Sequence, residues 1–256
     1  MPLESLRPRI QQKVEELFAN NFDKSPESIR VASTEKCLLI RVEGFLNSTV
    51  QSLIEERAHG ALSSTRELIV GYMLSEFREY LKSDMGLSIA HFYYDWSDED
   101  LSCLITVVMS ESVYQEKDDI YSGKEQVHKK VGQITHTVEK FPDAVHSFWI
   151  GEDFLVIVRN GLLIELEQAL IENGHADALR VAKRKVEKTH FIKEAHFDKI
   201  LGRNMQGIYL DWTFELDRSV MVCAFEARDE TPPEADVELE VSSASRPLPA
   251  NPDVRA

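Results

Sequence analysis

The chain has 256 residues, 43% of them hydrophobic, and a formal net charge of −15. That length suits one large domain or two of about 110 residues, and no apolar run reaches the roughly 18 residues of a membrane span. An acidic body without a basic stripe repels a phosphate backbone, so nucleic acid is not an expected partner.

Residues 5–20 place Leu6, Ile10, Val14, Leu17 and Phe18 on one face at a period near 3.6, which predicts a helix. Two strands are expected at 29–32 and 37–42, with Gly44 ending the second. A short helix is predicted over 45–57, then a break at His59-Gly60. A long helix is expected to open at Ser64, where Glu67 completes a capping-box pattern, and to run to Lys82. Strands are predicted at 87–94 and 101–109, joined by an acidic hairpin loop over 95–100. Residues 111–124 read as a linker. The plan then recurs: helix 125–140, strands 145–150 and 154–159, helices 162–172 and 177–199, strands 206–212 and 218–226.

The recurrence is visible in the residues themselves. Gly44 matches Gly161, and Leu53, Ile54 and Glu55 match Leu170, Ile171 and Glu172, at an offset of 117. His59 matches His175, and Asp95-Trp96 matches Asp211-Trp212, at an offset of 116. The expected fold is therefore α+β: two repeated domains, over 1–110 and 125–228, each in the order α-β-β-α-α-β-β. Each is a small, mostly antiparallel four-stranded sheet with helices packed on it. So small a sheet leaves one face uncovered unless the copies bury the same face against each other as an internal pseudo-dimer. Residues 229–256 hold seven acids, two arginines and five of the nine prolines, and read as a disordered acidic tail.

Three cysteines (Cys37, Cys103 and Cys223) sit in apolar strand-like runs and form no pairwise motif, so buried free thiols are expected. The N-terminus lacks the apolar stretch of a secretory signal. Both readings favour a cytoplasmic location. There is no HExxH, CxxC or glycine-rich phosphate loop, and no cofactor is implied.

The candidate interaction or ligand residues are the repeated ones. Asp95, Trp96, Asp211 and Trp212 stand where the third strand of each copy turns into its hairpin. There they form either a binding hot spot or a structural pair, with Asp accepting backbone N–H groups and Trp covering the core edge. Glu55, His59, Glu172 and His175 lie between helices, where a Glu-His pair suits a metal or a proton but equally a solvent-facing cap. Arg41 and Arg159 suit a carboxylate or an anion, at positions that are not equivalent. The aromatic residues Tyr72, Tyr80, Tyr93, Tyr94, Phe191, Phe197 and Tyr209 read mainly as core, with some left for a protein-binding surface.

The run from Cys37 to Met109 resembles the MpsC-like family, the C component of a Na⁺-translocating, membrane-potential-generating system. The resemblance lies in LLIRVEG at 38–44, LIEE at 53–56, the long helix, HFYYDWSDED at 91–100 and LITVV at 104–108. The second copy is looser: Asn160 stands where the first has Glu43. The resemblance implies a non-enzymatic accessory or regulatory protein, membrane-peripheral, with a cation or inorganic-carbon transport component as partner. It carries over no catalytic residue. Self-association is compatible with it. The alternative is a small-ligand or metal-binding regulatory protein with its site between the copies. A hydrolase or transferase reading finds no nucleophile-base constellation to support it.

Overall fold

The computed structural model describes residues 3–46, 59–97, 100–111 and 120–227, with side chains placed except at 4 and 59–68. After a 3₁₀ turn (Leu3–Leu6) come α1 (Arg7–Phe22), β1 (Ser28–Ser33), β2 (Cys37–Glu43), α2 (His59–Ser83), β3 (His91–Ser97) and β4 (Ser102–Val108). The second repeat contributes α3 (Lys124–Val138), β5 (Ala144–Ile150), β6 (Phe154–Asn160), α4 (Glu165–Glu172), α5 (Ala176–Glu194), α6 (Phe197–Leu201), β7 (Met205–Thr213) and β8 (Arg218–Phe225). The sheets have matching orders, β1-β2-β4-β3 and β5-β6-β8-β7, and every pairing is antiparallel. Two similarly folded α+β domains are what a tandem duplication leaves.

Strand alternation divides the apolar residues into three cores. Leu38, Ile40, Val42, Cys103, Ile105 and Val107 face α1 and α2 with Ile10, Val14, Phe18, Met73 and Phe77. Leu155, Ile157, Met221, Cys223 and Phe225 face Val127, Val131 and Phe191 in the second repeat. The alternate residues, among them Cys37, Leu39, Leu104, Phe154, Val156, Val158, Val220 and Val222, form one cluster shared by both sheets. The sheets thus cover each other's open faces, and helices cover the outer ones. Each fully buried aliphatic or aromatic side chain contributes about 1.5–3 kcal/mol. The inner cluster is therefore a core in its own right, and it ties the repeats together.

The predicted helix over 45–57 lies largely outside the described residues. Four boundaries differ from expectation. α2 begins at His59 and runs through Ser64, since one glycine at position 60 costs a helix only about 1 kcal/mol. The strand expected from Leu87 begins at His91. The preceding residues close α2 instead: Gly86 N–H donates to the Lys82 carbonyl and Leu87 N–H to that of Leu81, with Gly86 at φ +67°. The helix expected over 177–199 breaks at Ala195-His196, with His196 at φ 50°, and the break turns Phe197 into the core beside Phe191. Lastly, 95–97 belong to β3 and not to a loop. Asp95, Trp96 and Ser97 pair with Leu104, Cys103 and Ser102.

Candidate functional site

β3 and β7 are the edge strands at which the two sheets meet. An edge strand turns every second N–H and C=O away from its own ladder, and buried groups of that kind need partners. The repeated aspartates supply them reciprocally. Asp95 Oδ2 accepts the N–H of Leu210 at 2.7 Å, and Asp211 Oδ2 accepts the N–H of Tyr94 at 3.0 Å. Each carboxylate's other oxygen accepts the N–H of its own following tryptophan, Trp96 at 2.7 Å and Trp212 at 2.8 Å. Leu210 is to Asp211 as Tyr94 is to Asp95, so these bonds obey a local twofold relation.

The tyrosines two residues earlier behave alike. The Tyr93 hydroxyl crosses to Thr213 Oγ1 at 2.8 Å, and Tyr209 crosses to Ser102 Oγ at 2.6 Å while accepting from Arg41 Nε at 2.8 Å. Burial pushes the Tyr209 phenol above its ordinary pKa, so it stays protonated and donates. Between the strands is a cavity of about 10 Å³, room for no more than one water. It is lined by five pairs at one offset: Tyr93 and Tyr209, Tyr94 and Leu210, Asp95 and Asp211, Leu104 and Val220, Thr106 and Val222. The cavity therefore lies on the pseudo-twofold axis.

Among the described residues, the clamp on this seam comes from the second repeat. Arg180, Arg184 and Lys188, spaced four apart on α5, present one basic stripe. Arg184 Nε lies 3.0 Å from Asp95 Oδ1, and its Nη2 donates to the Tyr94 carbonyl at 2.9 Å. Lys188 Nζ lies 2.7 Å from Asp95 Oδ2 and also meets the Trp96 carbonyl. Arg180 pairs with Asp211 and donates to the Trp212 carbonyl at 2.8 Å. The positions 116 residues earlier hold Ser64, Leu68 and Tyr72, which carry no charge.

Beneath α5 lies a second charged group. Glu187 Oε2 pairs with Arg159 at 2.6 Å, and Lys183 sits 2.5 Å from Glu139 and 2.8 Å from Glu167. Arg159 further donates to Thr135 and Ser219. Three carboxyls face two cations. Burial, followed by the hydrogen bond to Glu187, pushes Glu139 up to about 9, so it holds a proton at neutral pH. Burial opposes ionisation of Glu187 too, but Arg159, the Glu139 hydrogen bond and Lys183 outweigh it and hold that carboxyl below its ordinary value. The first repeat has Val42 and Gly71 at the places of Arg159 and Glu187. Arg159 and Arg41 differ because one faces its helices and the other the opposite sheet. Arg41 meets Tyr209, Glu43 at 2.5 Å, and Asp100.

Among the residues singled out from sequence, Asp95 and Asp211 are brought together, 1% and 5% exposed. Trp96 and Trp212 are buried in opposite helix-side cores. Glu172 and His175 lie on the surface at the α4–α5 turn, away from the aspartates. Glu55 and the side chain of His59 lie outside the described residues. Tyr93, Phe191, Phe197 and Tyr209 are core, whereas Tyr72 is 71% exposed. The three cysteines are free and buried, and burial pushes the Cys223 thiol well above its ordinary pKa, which makes it a poor nucleophile. Sequence reasoning passed over Arg180, Arg184 and Lys188. Their i, i+4, i+8 spacing was the available signal.

This is an α+β pseudo-dimer whose repeated acid-aromatic motif joins its halves. Residues 3–111 match a protein family described as "Na+-translocating membrane potential-generating system (MpsC)". The match spans the first repeat and less than half of the chain. No curated protein and no solved structure matches the chain. Among the described residues, no helix is long and apolar enough to cross a membrane, and no group of three or more His, Cys, Asp or Glu is placed to hold a metal ion.

Two outcomes test this geometry. Asp95→Ala leaves Lys188 without its carboxylate, leaves Arg184 only the longer contact to Asp211 at 3.5 Å, and orphans the Leu210 N–H, so urea unfolding should show a loss of about 3–5 kcal/mol. Asp211→Ala should cost less, because its partner Arg180 is a quarter exposed, and His175→Ala should stay within about 0.5 kcal/mol. Equal costs for Asp95→Ala and His175→Ala would refute the seam's role. The second outcome concerns pH. Glu139 has a folded pKa raised above its ordinary 4.5. Its stabilisation is complete below that value and declines as pH rises toward about 9, at up to roughly 1.4 kcal/mol per pH unit. The Glu187 contribution has the opposite sign and is lost only in acid. Glu139→Gln should flatten the decline in stability between pH 6 and 9, and a slope unchanged by the substitution would show that Glu139 is ionised throughout.

Proposed function

We propose that this chain is a non-enzymatic accessory or regulatory protein, acting by protein-protein contact and peripheral to a membrane system that moves cations or inorganic carbon. The observation that carries the reading is the family match over residues 3–111. Two features of the structure support it. The acid-aromatic pairs that suggested a site are consumed in joining the two halves, each aspartate saturated by backbone N–H groups and cations. The axial cavity between the copies has no room for a metabolite.

A protein partner needs an exposed apolar anchor. Tyr72 on α2 is one, at 71% exposure. Its counterpart in the second repeat, Lys188, is engaged in the clamp. An exposed tyrosine couples a rigid apolar body to a hydroxyl, the kind of side chain that concentrates binding energy at interfaces.

The test is affinity capture of the tagged full-length protein from its native host in mild detergent, read by mass spectrometry beside a Tyr72→Ala form. Specific recovery of an integral membrane transport component, reduced tenfold or more by Tyr72→Ala, is the expected result. Recovery of the protein alone, under cross-linking as well, would overturn the accessory reading.

A further inference from the structure

In an acidic chain, one groove is basic. Gly123, at φ +87°, precedes α3, and a Cβ there would run into the side chain and carbonyl of Ile200. Glycine therefore lets α3 start directly against α6. The two helices leave an open groove of about 530 Å³ lined by Gln126, Lys129, Lys130, Gln133, Lys199 and Ile200. Among the described residues, none of these three lysines has a carboxylate partner, in a molecule of formal net charge −15.

The chain leaves its last strand beside this groove. Glu226 N–H donates to the Asn204 carbonyl, Asn204 Nδ2 donates to Glu226 Oε1 at 2.7 Å, and Arg203 Nη2 donates to the Glu226 carbonyl at 2.9 Å. Arg203 follows Lys199 by four residues and is bonded through its own N–H to the carbonyl of Asp198. The exit is thus about one helical turn from the groove. Beyond it, residues 234–241 read Glu-Ala-Asp-Val-Glu-Leu-Glu-Val, acid and apolar in strict alternation. In extended form such a segment sets its carboxylates on one edge, about 6.7 Å apart, and its apolar side chains on the other. Pro232-Pro233 favour an extended approach. The seven residues from Ala227 to Pro233 span up to about 24 Å, ample for that distance.

We propose that residues 234–241 of the tail dock in cis along the groove between α3 and α6, with their carboxylates on Lys129, Lys130 and Lys199 and their apolar edge toward Ile200. Each such surface pair is weak and screened by salt. The short tether supplies a local concentration in the millimolar range, so several weak pairs suffice.

The test is zero-length carbodiimide cross-linking of the full chain, with peptide mapping, on an equimolar mixture of isotopically light and heavy protein. Cross-links from Lys129, Lys130 and Lys199 to Glu234, Asp236, Glu238 and Glu240 should exceed those from the exposed Lys82 and Lys193 about tenfold. They should join like-labelled peptides and fall several-fold in about 0.5 M salt. In K129E/K130E, the links from the retained Lys199 to the four tail acids should fall several-fold. Should that variant fold poorly, the links from the three lysines to the retained Glu240 must fall likewise once Glu234, Asp236 and Glu238 are Gln or Asn. Cross-links spread evenly over surface lysines would overturn the proposal, as would links joining light to heavy chains, which would make a second copy the occupant.

Discussion

Two sheet edges meet inside this molecule, and the way their backbone groups are satisfied decides the rest of the architecture. Facing the sheets buries the shared cluster of inner side chains, but it also brings β3 and β7 together with N–H and C=O groups pointing off their ladders. Left without partners, such groups cost about 1–3 kcal/mol each. Asp95 and Asp211 exchange acceptance of each other's neighbouring N–H, and three cations of α5 take the carbonyls and neutralise the carboxylates. The seam is therefore neither a continued sheet nor an open edge, but a polar splice that holds two domains at one angle.

The splice is symmetric in its acids and asymmetric in its bases. Both repeats retain Tyr-x-Asp-Trp, and the axial cavity is lined by matched pairs. Among the described residues, the cations come from the second repeat, as Arg180, Arg184 and Lys188, and so does the buried network of Glu139, Glu187, Lys183 and Arg159 under the same helix. Charges so placed contribute little net stability but strongly penalise any arrangement that separates them. The first repeat, the one that matches a family, keeps an apolar Val42 where the second has Arg159. Its helix α2 exposes Tyr72.

The duplication was legible because residues under common structural demands stayed alike. Gly44 and Gly161 both adopt φ +66° at the end of the second strand, with a side chain (Glu27 or Asp143) where a Cβ would go. The α+β class and the succession of strands along each repeat followed from hydrophobic period, whereas the order of the strands within each sheet is set by pairings that no local pattern records. Asp95 belongs to the strand and not to a loop: the Asp- and Ser-rich run 95–100 has turn chemistry, and only the pairing with β4 shows Asp95, Trp96 and Ser97 extended. The break at His196 was hidden by a helical period that Phe197 continues before leaving it for the core. The charged networks were illegible for a different reason. Asp95 meets Lys188 and Arg184 from about 90 residues away, and no local pattern records a contact that only the fold creates.

Amide hydrogen exchange at Tyr94 and Leu210 tests the splice most directly, because these two N–H groups donate to the carboxylates of the opposite repeat. If Asp95 and Asp211 hold the halves together, both amides are slowed by at least about a thousandfold and at similar rates. Protection at Leu210 is then lost in Asp95→Ala and at Tyr94 in Asp211→Ala, which remove the accepting oxygens. Exchange at the rates of an open sheet edge, or protection indifferent to the aspartates, would contradict the account.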